Sequence, residues 1–168
     1  MSYDPRTTAL TTDELGAYSQ IDAWTRRSLD NDFATTLGTL QDTPLGFTPD
    51  ASRNYLVEAM LLMQSASALV GPLVNWAGPK GITEAACVIE GPLSATAIGT
   101  RFVTGMSGTA LTLGTFPTAN ESYLVRLRGL VRVGASPGAG DIRMQVAAAV
   151  AGTTITVRAR SVLLYRRV

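Results

Sequence analysis

The side chains of this chain that could do acid–base, nucleophilic or metal chemistry are few and scattered. Beyond the N-terminal region the carboxylates, such as Asp50, Glu58, Glu84, Glu90, Glu121 and Asp141, stand singly. A glycosidase needs two carboxylates roughly 5–10 Å apart. Folding could bring Glu84 and Glu90 together, but nothing local marks them as a pair. The sequence contains no His. That removes the usual general base, the commonest metal ligand and every Ser-His-Asp or Cys-His arrangement. Zinc would need a cluster of Cys and His, and Cys87 is the sole cysteine. It lies in the apolar stretch Ala85-Ala86-Cys87-Val88-Ile89 and reads as a buried small hydrophobe. Gly105-Met106-Ser107-Gly108 and the Gly134–Gly140 segment are glycine-rich, yet neither follows a strand-to-helix phosphate pattern, so both read as turns. The expectation is a protein that is not an enzyme, with no catalytic residue, no cofactor and no metal.

The charges that remain point to contact rather than catalysis. Charged residues make up 16% of the 168 residues and apolar ones 46%, against about 25% charged in an ordinary soluble domain. Net charge is +1, so neither nucleic acid nor an anionic membrane is indicated as a partner. Thirteen of the fourteen basic residues are Arg, and Lys80 is the other. Arg is enriched in protein interfaces and Lys depleted, although a GC-rich genome would give the same bias. So few charges on a short chain suggest surface hidden against other subunits. A well-packed monomer with a Thr/Ser/Gly surface is the alternative.

The elements that would position these residues fall into two parts. Residues 1–34 read as an N-terminal anchoring segment, helix or extended arm. Thr11-Thr12-Asp13-Glu14 fits a capping box, and Leu15, Tyr18, Ile21, Trp24 and then Leu29 recur at helical spacing, which predicts a helix over about 12–29. Asp13, Asp22, Asp30 and Asp32 would cap or solubilise it. One short amphipathic helix cannot bury its stripe alone. Leu15, Tyr18, Ile21 and Trp24 either pack on the chain's own domain or anchor to another protein. The N-terminus lacks the basic-then-apolar start of a secretory signal, and no apolar run is long enough for a membrane span. A product made in the cytoplasm, soluble or assembled onto something, is expected.

After residue 34 short runs of Val, Thr, Leu and Ile are punctuated by Gly, Pro and Asn-Asp clusters, the pattern of an all-β domain. Strands are predicted at Thr35–Leu40, Tyr55–Gln64, Leu73–Ala77, Glu84–Ile89, Arg101–Thr104, Ala110–Thr115, Ser122–Val133, Asp141–Ala147, Thr153–Arg158 and Ser161–Arg166. With no internal repeat and no interleaved helices, residues 35–168 are expected to form an antiparallel β-sandwich or jelly roll. In Tyr123–Val133 one face carries Tyr123, Val125, Leu127, Gly129, Val131 and Val133, and the other Leu124, Arg126, Arg128, Leu130 and Arg132. Tyr55–Met63 is apolar on both faces and is expected to be covered on both sides. Arg126, Arg128 and Arg132 have no acid on their own strand. They either meet a neighbouring subunit or shell, or form an ordinary solvated face.

From Thr35 to Val168 the chain resembles the β-sandwich module of tailed-bacteriophage virion structural proteins, of the head-decoration, head-fibre and minor tail kinds. Thr39-Leu40-Gln41-Asp42-Thr43-Pro44-Leu45-Gly46-Phe47 leads to the Tyr-led run Asn54-Tyr55-Leu56-Val57-Glu58-Ala59. Trp76-Ala77-Gly78-Pro79-Lys80-Gly81 supplies an aromatic before a Pro-x-Gly turn. Leu127–Ala135, Gly140–Ala147 and Thr153–Arg167 give the closing strands. Val146-Ala147-Ala148 stands where Trp-Ala-Gln is usual, and Arg160-Ser161 replaces Gly-Ser. The resemblance implies a jelly roll like that of tumour necrosis factor, often a homotrimer, located in the virion and without catalysis. The function it implies is a capsid decoration or head-fibre protein acting by binding and assembly, attached to other virion proteins through its N-terminal segment. The alternative is a tail-fibre or tail-tip module binding a host glycan or receptor.

Overall fold

The structure is a computed structural model that describes residues 23–94, 97–104 and 111–168. The described residues form twelve strands and no helix. They are β1 (Thr25–Ser28), β2 (Phe33–Thr35), β3 (Gln41–Phe47), β4 (Asn54–Ser65), β5 (Pro72–Ala77), β6 (Ile82–Ser94), β7 (Ala97–Thr104), β8 (Leu111–Thr112), β9 (Tyr123–Val133), β10 (Ile142–Ala148), β11 (Ile155–Val157) and β12 (Val162–Arg167).

Two antiparallel sheets make a sandwich, as the strand patterning predicts. The larger runs β1-β12-β4-β9-β6-β7, with β11 joining β2 to β4, and the smaller runs β3-β10-β5-β8. Leaving aside the short β2–β11 pair and the β6–β7 hairpin, the chain switches sheets at every connection except that from β5 to β8. The larger sheet takes its first, eighth, third and sixth strands, and the smaller its second, seventh, fourth and fifth. That interleaving of early and late strands is a jelly roll. The β6–β7 hairpin is an insertion that widens the larger sheet beyond β9.

Alternation decides what is buried. On β4 the inward set Tyr55, Val57, Ala59, Leu61 and Met63 is sealed, and on β9 so are Val125, Leu127, Val131 and Val133. They meet Leu45 and Phe47 of β3, Val74 and Trp76 of β5, and Ile142, Met144 and Val146 of β10 in one core. Trp76 is 2% exposed, so it is a core residue and not a free stacking platform. Cys87 is buried. Burial pushes its thiol up to about 11, against a smaller lowering contribution from Trp76.

Several expectations are corrected. The helix expected over about 12–29 does not run through its last turn: Thr25–Ser28 is a strand, paired with Val162–Tyr165 of β12. Leu29, assigned to the helical stripe, is buried in the sandwich core, and its amide bonds to the Ser161 carbonyl. Residues 1–22, with Leu15, Tyr18 and Ile21, lie outside the described residues. The strand expected at Thr35–Leu40 is not formed beyond its first residue: β2 ends at Thr35, and the next strand, β3, begins at Gln41 and passes through Pro44. Proline is tolerated there because β3 is an edge strand, paired only with β10, whose register shifts beside it. Finally, β4 is sealed on its inner face alone: Leu56, Met60 and Leu62 on the other side stay partly exposed.

Candidate contact surface

The outward residues of the larger sheet line up in rows set by strand register. One row joins Arg166, Leu56, Leu130 and Ala86 across β12, β4, β9 and β6. The next joins Arg26, Leu164, Glu58, Arg128, Val88 and Phe102 from β1 to β7. A third joins Val162, Met60, Arg126, Glu90 and Thr100. The face is therefore apolar rows crossed by a ladder of charge. Ile98 is 82% exposed, Phe102 76%, Leu124 51% and Leu130 40%. Contiguous exposed apolar surface of this kind marks a contact site more often than a solvated face.

The three Arg expected to share a face do so: Arg126, Arg128 and Arg132 all point outward from β9. Their acids come from the neighbouring strands, which a search along their own strand could not find. Arg126 Nε lies 3.5 Å from Glu58 Oε1, and Arg128 Nε lies 3.6 Å from the same oxygen. Arg128 Nη2 also reaches Glu90 Oε2 at 3.8 Å. Arg132 stands opposite Glu84 in the register. These pairs are long and half-solvated, each worth at most about 1 kcal/mol. They hold the guanidinium groups on the surface without consuming their hydrogen-bonding capacity.

A shallow groove of about 470 Å³ opens on this face over the backbone of Gly129, beside Ala86. Leu56, Val88, Phe102, Arg128 and Trp24 contribute to its walls. Trp24 enters from the β1 edge, where the Arg166 guanidinium lies 5.0 Å from its ring centroid. Trp24, from the expected anchoring stripe, thus belongs to the same surface as the Arg face.

The carboxylates do not converge. Glu84 and Glu90 both point outward from β6 but are six residues apart on one strand, about 20 Å along it. Among the described residues no three of His, Cys, Asp and Glu group as metal ligands. No helix among them is long and apolar enough to cross a membrane.

A polar cluster at the β1–β3 edge was not anticipated. Phe47 stacks on Tyr165 at 4.1 Å between ring centroids, and Tyr55 packs against both. The Tyr55 hydroxyl donates to Asp50 Oδ2 at 2.9 Å and accepts the Asp50 amide at 2.8 Å. Arg167 Nη2 lies 2.6 Å from the same carboxylate. Burial raises the Tyr55 pKa, with Asp50 bonds acting in both directions. Nearby, Thr48 donates to Asp141 at 2.6 Å and Arg143 pairs with it at 2.9 Å. These two contacts hold the Asp141 carboxyl below its ordinary value. The only hint in the sequence was the placing of Asp50 and Tyr55 five residues apart, which has meaning only once the final strand brings Arg167 alongside.

No family model and no curated protein matches the chain. Among solved structures it is similar to a bacterial lipoprotein from Bacteroides thetaiotaomicron, at 10% identity and a TM-score of 0.24, over 84% of this chain and 86% of that one. It is also similar to the infectious bursal disease virus VP2 subviral particle, at 12% identity and a TM-score of 0.24, over 99% of this chain and 43% of that one. The infectious bursal disease virus Gt strain gives 12% identity and a TM-score of 0.22, over 99% and 41%. All three likenesses are weak, and the chain spans under half the length of either viral chain.

Proposed function

We propose that this protein is a non-enzymatic structural subunit of a bacteriophage virion, a capsid decoration or head-fibre protein that works by self-association and attachment. The observation that carries this is the outer face of the larger sheet. It keeps Leu124, Leu130, Ile98 and Phe102 in the open beside Arg126, Arg128 and Arg132. Burying such rows against sister copies would yield roughly 25 cal/mol for each Å² of apolar surface covered. Arg at the centre or rim supplies directional bonds to a neighbour. The run of motifs from Thr39 to Arg167 that resembles phage virion modules supports the same conclusion, and the trimer is the arrangement that resemblance implies. The N-terminal segment attaches the subunit to other virion proteins.

Light scattering on the eluting purified full chain tests the association. A trimer is expected across the micromolar range, and a monomer throughout that range would overturn the proposal. Counting copies per particle by quantitative mass spectrometry then separates the two virion roles. Hundreds of copies fit decoration, whereas a few to a few tens fit a tail-fibre or tail-tip module.

A further inference from the structure

The larger sheet ends on a strand that lacks the guards of the other edges. β1 is four residues long and carries Arg26 and Arg27. β2 has three residues and β8 two, and β3 is interrupted by Pro44 and a register shift. Short length, charge, proline and irregularity are the devices that stop a sheet edge from adding another strand. β7 has none of the four. It runs for eight residues without Pro or Lys, and its pairing with β6 is unbroken from Ile98 to Thr104. Among the described residues no strand covers its other side. Ile98 and Phe102, 82% and 76% exposed, stand on the outer face of this open edge. We infer that β7 pairs antiparallel with β7 of a second copy across a two-fold axis at Thr100, which joins the two larger sheets into one.

The spacing along β7 commits the edge to its own copy. Residues opposed in an antiparallel pair lie on the same side of the sheet, so such an axis passes through a residue that faces itself. With the axis at Thr100, Ile98 of each copy faces Phe102 of the other and Thr100 faces Thr100, both favourable cross-strand combinations. An axis at Arg101 would set two Arg opposite each other, which is unfavourable. An axis at Gly99 would carry Phe102 past the first residue of the other strand. Glu90 stands beside Thr100 on β6. Across the axis the two Glu90 are three strand spacings apart, about 14 Å, beyond the screening length of about 8 Å. A two-fold contact cannot close within a ring of three equivalent subunits. It is therefore a second contact, separate from the face association proposed above, and it links copies from different trimers.

Disulfide trapping in the full chain tests the axis, in a Cys87→Ala background with circular dichroism as the check on folding. Opposed Cα atoms in an antiparallel pair lie about 4.5 or 5.5 Å apart, within the range of about 4.4–6.8 Å that a disulfide spans. Thr100→Cys should therefore crosslink to itself under mild oxidation. Ile98→Cys alone should not, because its two copies are offset by four residues, about 14 Å along the strands. Mixed with Phe102→Cys chains it should form the heterodimer. The Thr100→Cys dimer is expected at tenfold or more the yield of the Ile98→Cys dimer, and equal yields, or no Thr100→Cys dimer, overturn the inference. Hydrogen exchange on the unaltered chain needs no cysteine. The amides of β7 should exchange several-fold more slowly in concentrated than in dilute protein, and exchange independent of concentration overturns it equally. Arg128→Glu, which weakens the face association, should leave the Thr100 crosslink in place; a crosslink lost with it would mean that the face contact alone brings the two residues together. A trimer without the crosslink sinks the strand pairing alone, and a crosslink in a protein that light scattering finds monomeric sinks the face association alone.

Discussion

Gly129 of β9 lies opposite Cys87 of β6 so closely that a Cβ at Gly129 would come 2.6 Å from the Cys87 Cβ and 2.6 Å from the Ala86 carbonyl oxygen. Neither neighbour is the end of a flexible chain, so a methyl group there forces β9 and β6 apart. Gly129→Ala is expected to cost about 1–3 kcal/mol as an overpacking change. For a chain of this size that is a Tm lower by roughly 2–4 °C per kcal/mol. Calorimetry checks it, and an unchanged Tm would mean the two strands are not held at this spacing.

Arg160 adopts φ of +71° in the turn between β11 and β12. A side chain in the left-handed region costs roughly 1–2 kcal/mol, part of which glycine returns through its larger unfolded-state entropy. Arg160→Gly is therefore expected to stabilise by up to about 1 kcal/mol. Urea denaturation measures this, and a loss of stability would show that the Arg160 side chain makes a contact that outweighs its backbone strain.

Tyr55→Phe removes both hydroxyl contacts with Asp50 while keeping the ring in the aromatic cluster. The expected loss is about 1–2 kcal/mol, since a charged acceptor is left with one bond fewer. Asp50 keeps Arg167 at 2.6 Å, so the variant should fold. The checking measurement is a double-mutant cycle with Asp50→Asn, in which additive effects would mean the two side chains do not interact.

Asp141 gives a pH dependence with a definite sign. Its folded-state pKa is lowered, first by the Thr48 bond and then by Arg143. A lowered acid binds protons more weakly in the folded chain than in the unfolded one. Its contribution is thus fully present above the ordinary aspartate range and is lost as pH falls through the folded value. Stability of the wild type should fall below about pH 4. Asp141→Asn should flatten that decline, and identical acid profiles for the two proteins would refute the assignment.

Arg128→Glu tests the contact face. The new carboxylate would stand beside Glu58 and Glu90, the two acids that Arg128 now meets. Exposed pairs of this kind are worth about 0.2–1 kcal/mol, so the subunit should remain folded. Association should weaken tenfold or more by light scattering. A variant that associates as the wild type does would take the Arg face out of the interface.

How far the sequence could be read depends on how local each signal is. The alternation in Tyr123–Val133 is contained in eleven consecutive residues, and it announced both the sandwich and the outward Arg face. Trp76 and Cys87 sit in apolar runs, and their burial followed. Thr25–Ser28 carries no alternation of its own; it is a strand because β12 offers it a partner some 140 residues later. Before that pairing is known, Trp24 and Leu29 fit a helical stripe equally well. The acids beside Arg126 and Arg128 were invisible for the same reason, since cross-strand neighbours are set by register and not by sequence distance. Tyr55, Asp50 and Arg167 meet only after the chain has closed.

The position of β12 has a consequence for biogenesis. β12 inserts between two strands made much earlier, with β1 on one side and β4 on the other. Among the described residues β1 pairs with β12 alone, so it cannot join the sheet until β12 has been made. Such late, long-range closure is slow and leaves edges open meanwhile. Loss of β12 would therefore leave β1 and the facing edge of β4 unpaired, releasing a product prone to aggregate.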